Sequence, residues 1–304
     1  MDDPKPPAVS LLHSKLGERR IGVDMPVQRF KPILPVAEIK AGLAELSPQN
    51  EWCHYFDLGK AGQTVGPEAG LYFDKAIALK LIAEQVVQAV PFITARGTVE
   101  GLSVLDLASA EGQHSIELAM AGACTVVGVD GRQIHVDRAS FMARTFGAAN
   151  ARFQKGDVRK ISPEKIGRYE LVLFFGILHH LAPDDFFPML KLLRALSSDT
   201  VLIYTHTLAS AANARFGDSL GPQMRTRDGY QGRPFREHAE QMTMEEREKR
   251  LRSSLDNTFS FWTQETELLR ALRNAGFRYV ARQLAPNPFP DPVNEFRVLY
   301  VCRV

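Results

Sequence analysis

The chain is poor in cysteine, carries almost no excess charge of either sign, and has no long apolar run. Its three cysteines, Cys53, Cys124 and Cys302, lie far apart and form no CxxC or Cys/His ligand spacing. That argues against a disulfide scaffold and a structural zinc site, and leaves the thiols as small apolar core residues of a reducing compartment. With 37 basic and 35 acidic residues the net charge is +2, too small for a global field that recruits nucleic acid or an anionic membrane. No apolar run approaches the length of about 18 residues that a membrane span needs. Residues 1–20, MDDPKPPAVSLLHSKLGERR, lack the basic start and apolar segment of a secretory leader. A cytoplasmic protein is the expectation.

What is present is an alternating chain. With 304 residues and 45% apolar content it holds one large or two ordinary domains. Residues 1–98 are expected to form an arm and a lid: a proline-rich start, a helix at 36–46, an aromatic and glycine-bearing loop, EWCHYFDLGKAGQTVGPEAG, at 51–70, and a strong helix at 71–90. Residues 99–207 alternate strands (102–107, 124–130, 151–155, 170–175, 200–205) with helices (112–121, 134–146, 184–196). The rhythm breaks at 208–258, a charge-dense stretch with Arg215, Arg225, Arg227, Arg233 and Arg236, read as a helical cap insertion. It resumes at 259–304 with a helix at 263–275, N-capped by Thr263, and strands at 277–284 and 295–304. Only PNPFPDP joins those two strands, so they pair antiparallel. The fold class is α/β: a Rossmann-like, seven-stranded, mostly parallel sheet with an antiparallel last strand and helices on both faces.

The most informative residues sit at the strand tips. The first strand ends in Asp106 and a tight loop, Asp106-Leu-Ala108-Ser-Ala110-Glu111-Gly112, that opens a helix. A nicotinamide site wants GxGxxG there, and this loop has one glycine. S-adenosylmethionine (SAM) has no pyrophosphate to cradle and brings an ammonium, which a strand-tip carboxylate such as Asp106 can hold. The second strand ends in Asp130-Gly131, where a carboxylate can accept both ribose hydroxyls and a glycine lets the chain pass close to the nucleoside. Asp157-Val158 follows the third strand, with the acid for the adenine amino group and the valine for the ring face. The competing reading is a set of ordinary Asp-Gly strand-end turns. Ala108, Glu111, Gly112 and Phe174 complete the candidate cofactor residues.

These segments, VLDLASAEGQHSIELA, VVGVD, GDV at 156–158, ELVLFFGILHHL and WTQETELLRALRNAGF, resemble the class I SAM-dependent methyltransferases. EWCHYFDLGKAGQTVGPE and FFGILHHL are also similar to the tRNA wobble-uridine carboxymethyltransferase-like group, which includes many small-molecule methyltransferases. Ala108 stands where that family usually has glycine. The resemblance implies an acceptor above the fourth and fifth strand tips, where His179, His180 and His206 are the candidate bases. By family position His180 is the recurrent histidine. A structural role at a helix start is the alternative, and the three do not have a spacing that compels a metal. Trp52, His54, Tyr55 and Phe56 either line the acceptor pocket or form a local aromatic core. The insertion's arginines either grip a carboxylate or phosphate or form a solvated face.

The expected function is methyl transfer to an oxygen or nitrogen of a small metabolite. The alternatives are a tRNA-modifying enzyme, which needs a basic face with exposed aromatics, and a non-catalytic SAM-binding protein.

Overall fold

The computed structural model describes residues 30–47, 52–283 and 296–304. The expectations for residues 1–29 and for the PNPFPDP connection lie outside them.

Seven strands form the main sheet, in the order β3-β2-β1-β4-β5-β10-β9. These are β1 (Ser103–Leu107), β2 (Thr125–Asp130), β3 (Ala151–Lys155), β4 (Tyr169–Phe175), β5 (Ser197–His206), β9 (Tyr279–Arg282) and β10 (Arg297–Arg303). The first five run parallel, and β10 runs antiparallel to both β5 and β9. The order reverses between β1 and β4. A crevice at the carboxyl ends of the strands opens at such a switch point.

Period-two alternation distributes the strand residues over two cores. Val104, Leu171, Leu173 and Leu202 face one side, with α1 (Val36–Leu46), α2 (Leu71–Ile93), α3 (Gln113–Met120) and α4 (Gln133–Phe146). Leu105, Leu107, Val172, Phe174, Val201 and Ile203 face the other, with α6 (Pro183–Leu196) and α9 (Glu265–Asn274). A single-turn helix, α5 (Pro163–Ile166), precedes β4. Helix ends follow their local chemistry. Pro183 opens α6 with Asp184 and Asp185 in its first turn. Gly147 closes α4 in the left-handed region.

Helix α2 is long and apolar enough to cross a membrane by composition. Its Ala76, Ile82, Ala83, Val86 and Val90 instead belong to the first core. Cys53 and Cys302 are buried, but Cys124 is exposed, contrary to expectation. It precedes β2 in the turn from α3, where its Sγ contacts the Leu102 carbonyl at 3.5 Å.

The insertion differs from the expected helical cap. It holds two short helices, α7 (Ser210–Phe216) and α8 (Met244–Lys249), and between them a hairpin of β6 (Arg225–Arg227) and β7 (Tyr230–Arg236). Strand β8 (Phe259–Thr263) adds to β7, giving a second, three-stranded antiparallel sheet. Thr263 therefore ends β8, and Gln264 stands at the N-cap of α9. Trp262, Leu220, Ala212 and Phe296 form a third, smaller core beneath this sheet. Thr243 and Glu246 make a capping box that starts α8.

Candidate active site

Asp106, Asp130 and Asp157 stand at the carboxyl ends of three adjacent parallel strands, along one edge. Each already has partners. Asp106 is buried and accepts a hydrogen bond from Ser115 Oγ at 2.7 Å. Burial pushes its carboxyl up to about 7, against the lowering effect of Ser115, and nearby Asp130 adds to the rise. Asp130 Oδ1 accepts the Arg132 N–H at 2.9 Å and faces His135 Nδ1 at 3.1 Å, while Oδ2 accepts the Ala110 N–H at 2.9 Å. Burial would raise Asp130, but His135 and the two N–H donors hold it below the usual carboxylate range. Burial in turn disfavours a charged His135, yet its bond to Asp130 raises it to about 10. Asp157 is paired with Arg159, whose guanidinium also reaches Asp185 and Asp256.

The loop between β1 and α3 hangs from β2. The Ala108 and Ser109 N–H groups both donate to the Val129 carbonyl, at 2.8 and 3.2 Å. Ala108 (φ 59) and Ala110 (φ 45) lie in the left-handed region, at a cost of about 1 kcal/mol or more each for a residue with a Cβ. So the residue that replaces glycine here keeps glycine's backbone conformation. Gly112 (φ 76) is more constrained, because a Cβ there would meet the Phe153 ring at 2.7 Å.

Glu111 has a different place from the one expected. It is fully buried and accepts from the backbone N–H groups of Cys53 and His54, from Arg138 Nη1 at 2.9 Å, and faces His54 Nδ1 at 3.2 Å. Burial would raise its pKa, but His54 and these donors lower it, so it stays ionised. It fastens the 52–66 segment onto the loop. Gln113 Nε2 adds a 2.7 Å bond to the Tyr55 carbonyl. Trp52, Tyr55 and Phe56 belong to the main core, so these aromatics do not line a pocket. Phe174 is likewise enclosed by the second core, on the face opposite Phe175. Strand parity puts it there, and Phe175, whose ring meets His114 edge-on at 4.7 Å, is the residue nearer the tip. Val158 is buried at the margin of that second core.

Two arginines dock the insertion on this edge. The Arg132 guanidinium donates to the carbonyls of Arg247, Glu248, Arg250, Ser253 and Ser254. Arg159 ties Asp256 to Asp157. Leu255 then sits so close that a Cβ on Gly131 would meet its Cδ2 at 2.9 Å. Nothing in the sequence pattern marked either arginine: Arg132 meets backbone carbonyls far along the chain, and Arg159 meets aspartates that come together only in the fold.

At the β4 and β5 tips the three histidines come together. His179 stacks on His206 with centroids 3.7 Å apart and lies 4.2 Å from His180. His179 Nδ1 accepts the His206 N–H at 3.3 Å, and the Trp262 indole N–H holds the His179 carbonyl at 3.0 Å. Burial, then the neighbouring His206 and His180, push His179 well below its ordinary value. His206 is lowered in the same way by burial and by Arg297. Both are neutral near pH 7. His180 differs: its Nδ1 lies 2.8 Å from Glu237 Oε1. Glu237, from the turn after β7, also accepts from Ser260 Oγ at 2.7 Å and the Ser254 N–H at 3.2 Å. Burial opposes its charge, but His180, Ser260 and Ser254 hold it low and ionised. A carboxylate there fixes the His180 proton on Nδ1 and leaves the Nε2 lone pair free. Sequence reading missed Glu237, which carries no motif and lies 57 residues from His180.

An adenosyl donor fits the acid edge. Asp130 Oδ2 retains an acceptor position after its bond to Ala110, enough for one ribose hydroxyl, while both positions on Oδ1 are taken. Asp106 is near neutrality, so a donor ammonium can ionise it.

A methyltransferase-domain family model matches residues 98–276. No curated protein matches the sequence. Among solved structures, the chain is similar to the N-terminal domain of EvdMO1 crystallised with SAH and D-fucose, at 21% identity and TM-score 0.63, covering 89% of this chain and 97% of that one. It is similar to magnesium protoporphyrin IX methyltransferase from Synechocystis PCC 6803 with bound SAH, at 18% identity and TM-score 0.52, covering 77% and 87%. A third is the Burkholderia thailandensis 1,6-didemethyltoxoflavin-N1-methyltransferase, at 19% identity and TM-score 0.51, covering 90% and 91%. At these identities the structures show the fold, and the family model covers more than half of the sequence. The chain belongs to the methyltransferase-domain family and is a class I, SAM-dependent methyltransferase.

Proposed function

We propose that the enzyme methylates an oxygen or nitrogen of a small-molecule acceptor, with His180 as general base and Glu237 as its positioning residue. The observation that carries this is the 2.8 Å His180–Glu237 contact at the β4 tip, beside the acid-lined edge. When bound, SAM supplies a methyl group made electrophilic by its sulfonium. The protein's tasks are then to hold the acceptor in line and to remove its proton. His180 Nε2 would take the proton that the acceptor heteroatom gives up on being methylated. Glu237 stabilises the imidazolium that forms. His179 and His206, neutral and stacked, form the floor beneath. Asp106, Asp130 and Asp157 line the donor side, and Glu111 and Arg132 hold the lid and insertion over the edge.

A small acceptor is supported by the lid and the insertion being bonded to the edge, and by the small molecules named with the similar structures, D-fucose and 1,6-didemethyltoxoflavin. A tRNA substrate needs several exposed aromatics on a basic face; Trp52, Tyr55, Phe56 and Trp262 are buried, and of the exposed Phe92, Phe259 and Tyr279 only Phe259 belongs to the arginine-bearing second sheet. The test is incubation with methyl-labelled SAM and a cell extract split into small molecules, RNA and protein. Label appearing in the small-molecule fraction supports the reading. Label confined to RNA or protein, or to none of the fractions, overturns it.

A further inference from the structure

We infer that the acceptor is an anion, a carboxylate or a phosphate ester, held by Lys75, Arg215 and Arg252 at the rim of the histidine-lined edge. The inference rests on the methyltransferase reading and adds the substrate's charge to it.

Four segments far apart in sequence contribute cations: Lys75 from α2, Arg215 from α7, Arg252 from the loop after α8, and Arg297 from β10, where it pairs in register with His206. The Tyr72 ring gathers two of them. The Arg252 guanidinium lies 3.5 Å from its centroid and Lys75 Nζ lies 6.0 Å from it. Tyr72 is itself fixed by a 3.0 Å bond from its hydroxyl to the Cys53 carbonyl, in the lid. Arg297 donates to the Tyr204 hydroxyl at 3.0 Å, next to Phe175. Arg215 sits 5.6 Å over Phe216, whose ring stacks toward His206 at 6.4 Å.

The cations that hold this protein together are paired. Arg138 reaches Glu111, Arg159 reaches three aspartates, and Arg132 fills five carbonyls. Among the described residues, no ion pair joins Lys75, Arg215 or Arg252 to an acid. Lys75 is half-buried. Burial, then Arg297 and Arg252, lower it to about 8, while Cys53 works in the other direction. Such an arrangement is self-repelling until an anion arrives. His206 Nδ1 is also buried on this edge, with no hydrogen-bond partner in the described structure.

The donor does not balance this charge. Its one carboxylate satisfies one cation, and its sulfonium and ammonium leave it net positive. Among the described residues the acids nearby are committed: Glu111 to the lid, Asp130 to His135 and the loop, Glu237 to His180. A negatively charged acceptor would meet Lys75, Arg215 and Arg252. An exposed guanidinium and a half-buried ammonium gathered on the Tyr72 ring, with the exposed Arg215 on the Phe216 ring that faces His206, suit a planar carboxylate or a phosphate equally.

The test uses the full chain loaded with SAH and titrated calorimetrically with benzoate, phenyl phosphate and benzyl alcohol. Benzoate or phenyl phosphate is expected to bind at least tenfold tighter than the neutral alcohol, and the tighter of the two names the anion class. Arg215→Gln and Arg252→Gln, both at exposed positions and expected to melt with the wild type, each weaken that anion tenfold or more and change SAH affinity less than threefold. Arg252→Lys restores part of the loss. Equal binding of the alcohol, or anion binding untouched in both Gln variants, overturns the inference. So does a loss that falls on SAH, which would assign the cations to the donor's carboxylate. Wild-type protein that binds no SAH overturns the methyltransferase reading itself.

Discussion

The two halves of the sheet's carboxyl edge are chemical opposites. At the β1–β3 tips stand Asp106 and Asp130, at the ends of their strands, and Asp157, in the turn after its own. At the β4–β5 tips stand three imidazoles, with Lys75, Arg215 and Arg297 near His206 and Arg252 beside Lys75 on the Tyr72 ring. The acid half is assembled from residues within two consecutive βαβ units that share β2, and its ligand is a cation-bearing donor. The histidine half is assembled from α2, β4, β5, the insertion and β10. Evolution of a transferase on this fold can hold the first constant and rebuild the second, because function lives in sites placed on folds.

The largest contrast to test is chemical. His180→Ala is expected to lower turnover by about a hundred- to ten-thousand-fold, the usual contribution of a general base, with SAH affinity within about twofold of wild type. Glu237→Gln lowers turnover by about tenfold or more, since an amide can hold the wrong imidazole tautomer. The double variant is no worse than His180→Ala alone if the two act as one unit. Single-turnover kinetics with the identified acceptor reads this. Additive losses would separate the two residues.

A second effect probes the hinge between the halves. Glu111→Ala strips a buried, ionised carboxylate from Arg138, His54 and two backbone N–H groups. Breaking a buried pair on one side costs about 3–5 kcal/mol, so urea unfolding should shift by that amount. A loss below about 1 kcal/mol would mean that the lid is not fastened there.

A smaller effect distinguishes the donor half by pH. Asp106 has a folded pKa of about 7 against an ordinary 3.8. The native state therefore holds its proton more tightly than the unfolded chain, and this group's contribution to stability declines as pH rises between those values. Binding a donor ammonium requires the ionised form. SAM affinity is thus expected to rise with pH up to about 7, by at most about tenfold per unit, and then level off. Asp106→Asn should remove the slope. A flat profile in the wild type would place the ammonium elsewhere.

The smallest effect concerns Ala108. Relieving its left-handed backbone (φ 59) by Ala108→Gly stabilises the protein by up to about 1 kcal/mol, because the strain removed exceeds the added unfolded-state entropy of glycine. A thermal melt checks the sign, and a lower melting temperature would show that the methyl group packs usefully.

The acid half was legible because buried parallel strands read as apolar runs, and their tips follow in sequence: VLDL, VVGVD, then GDV. The roles of its side chains were less so. Glu111 reads as a loop acid, and only the fold shows that the backbone of Cys53 and His54 closes on it. Phe174 was misplaced by one residue of strand parity, which moves a side chain to the opposite face. The second sheet was hidden because two of its three strands carry Arg225, Arg227, Arg233 and Arg236 and show no clean apolar alternation, while the apolar β8 runs straight into the next helix. The expectation of a helical cap passed over the one local signal of its hairpin, Asp228-Gly229, both with positive φ. Glu237 and the cations of the rim had no local signal at all. Their meaning arises from juxtaposition across the hairpin and the sheet edge.

The account depends most on the acid edge holding a sulfonium donor. Calorimetric titration of the purified chain with SAM and SAH tests it directly, with Asp130→Asn in parallel. Micromolar, one-site binding of both, weakened at least tenfold in a still-folded Asp130→Asn, is the predicted result. Binding of neither compound to the wild type, or equal binding to the variant, would contradict it.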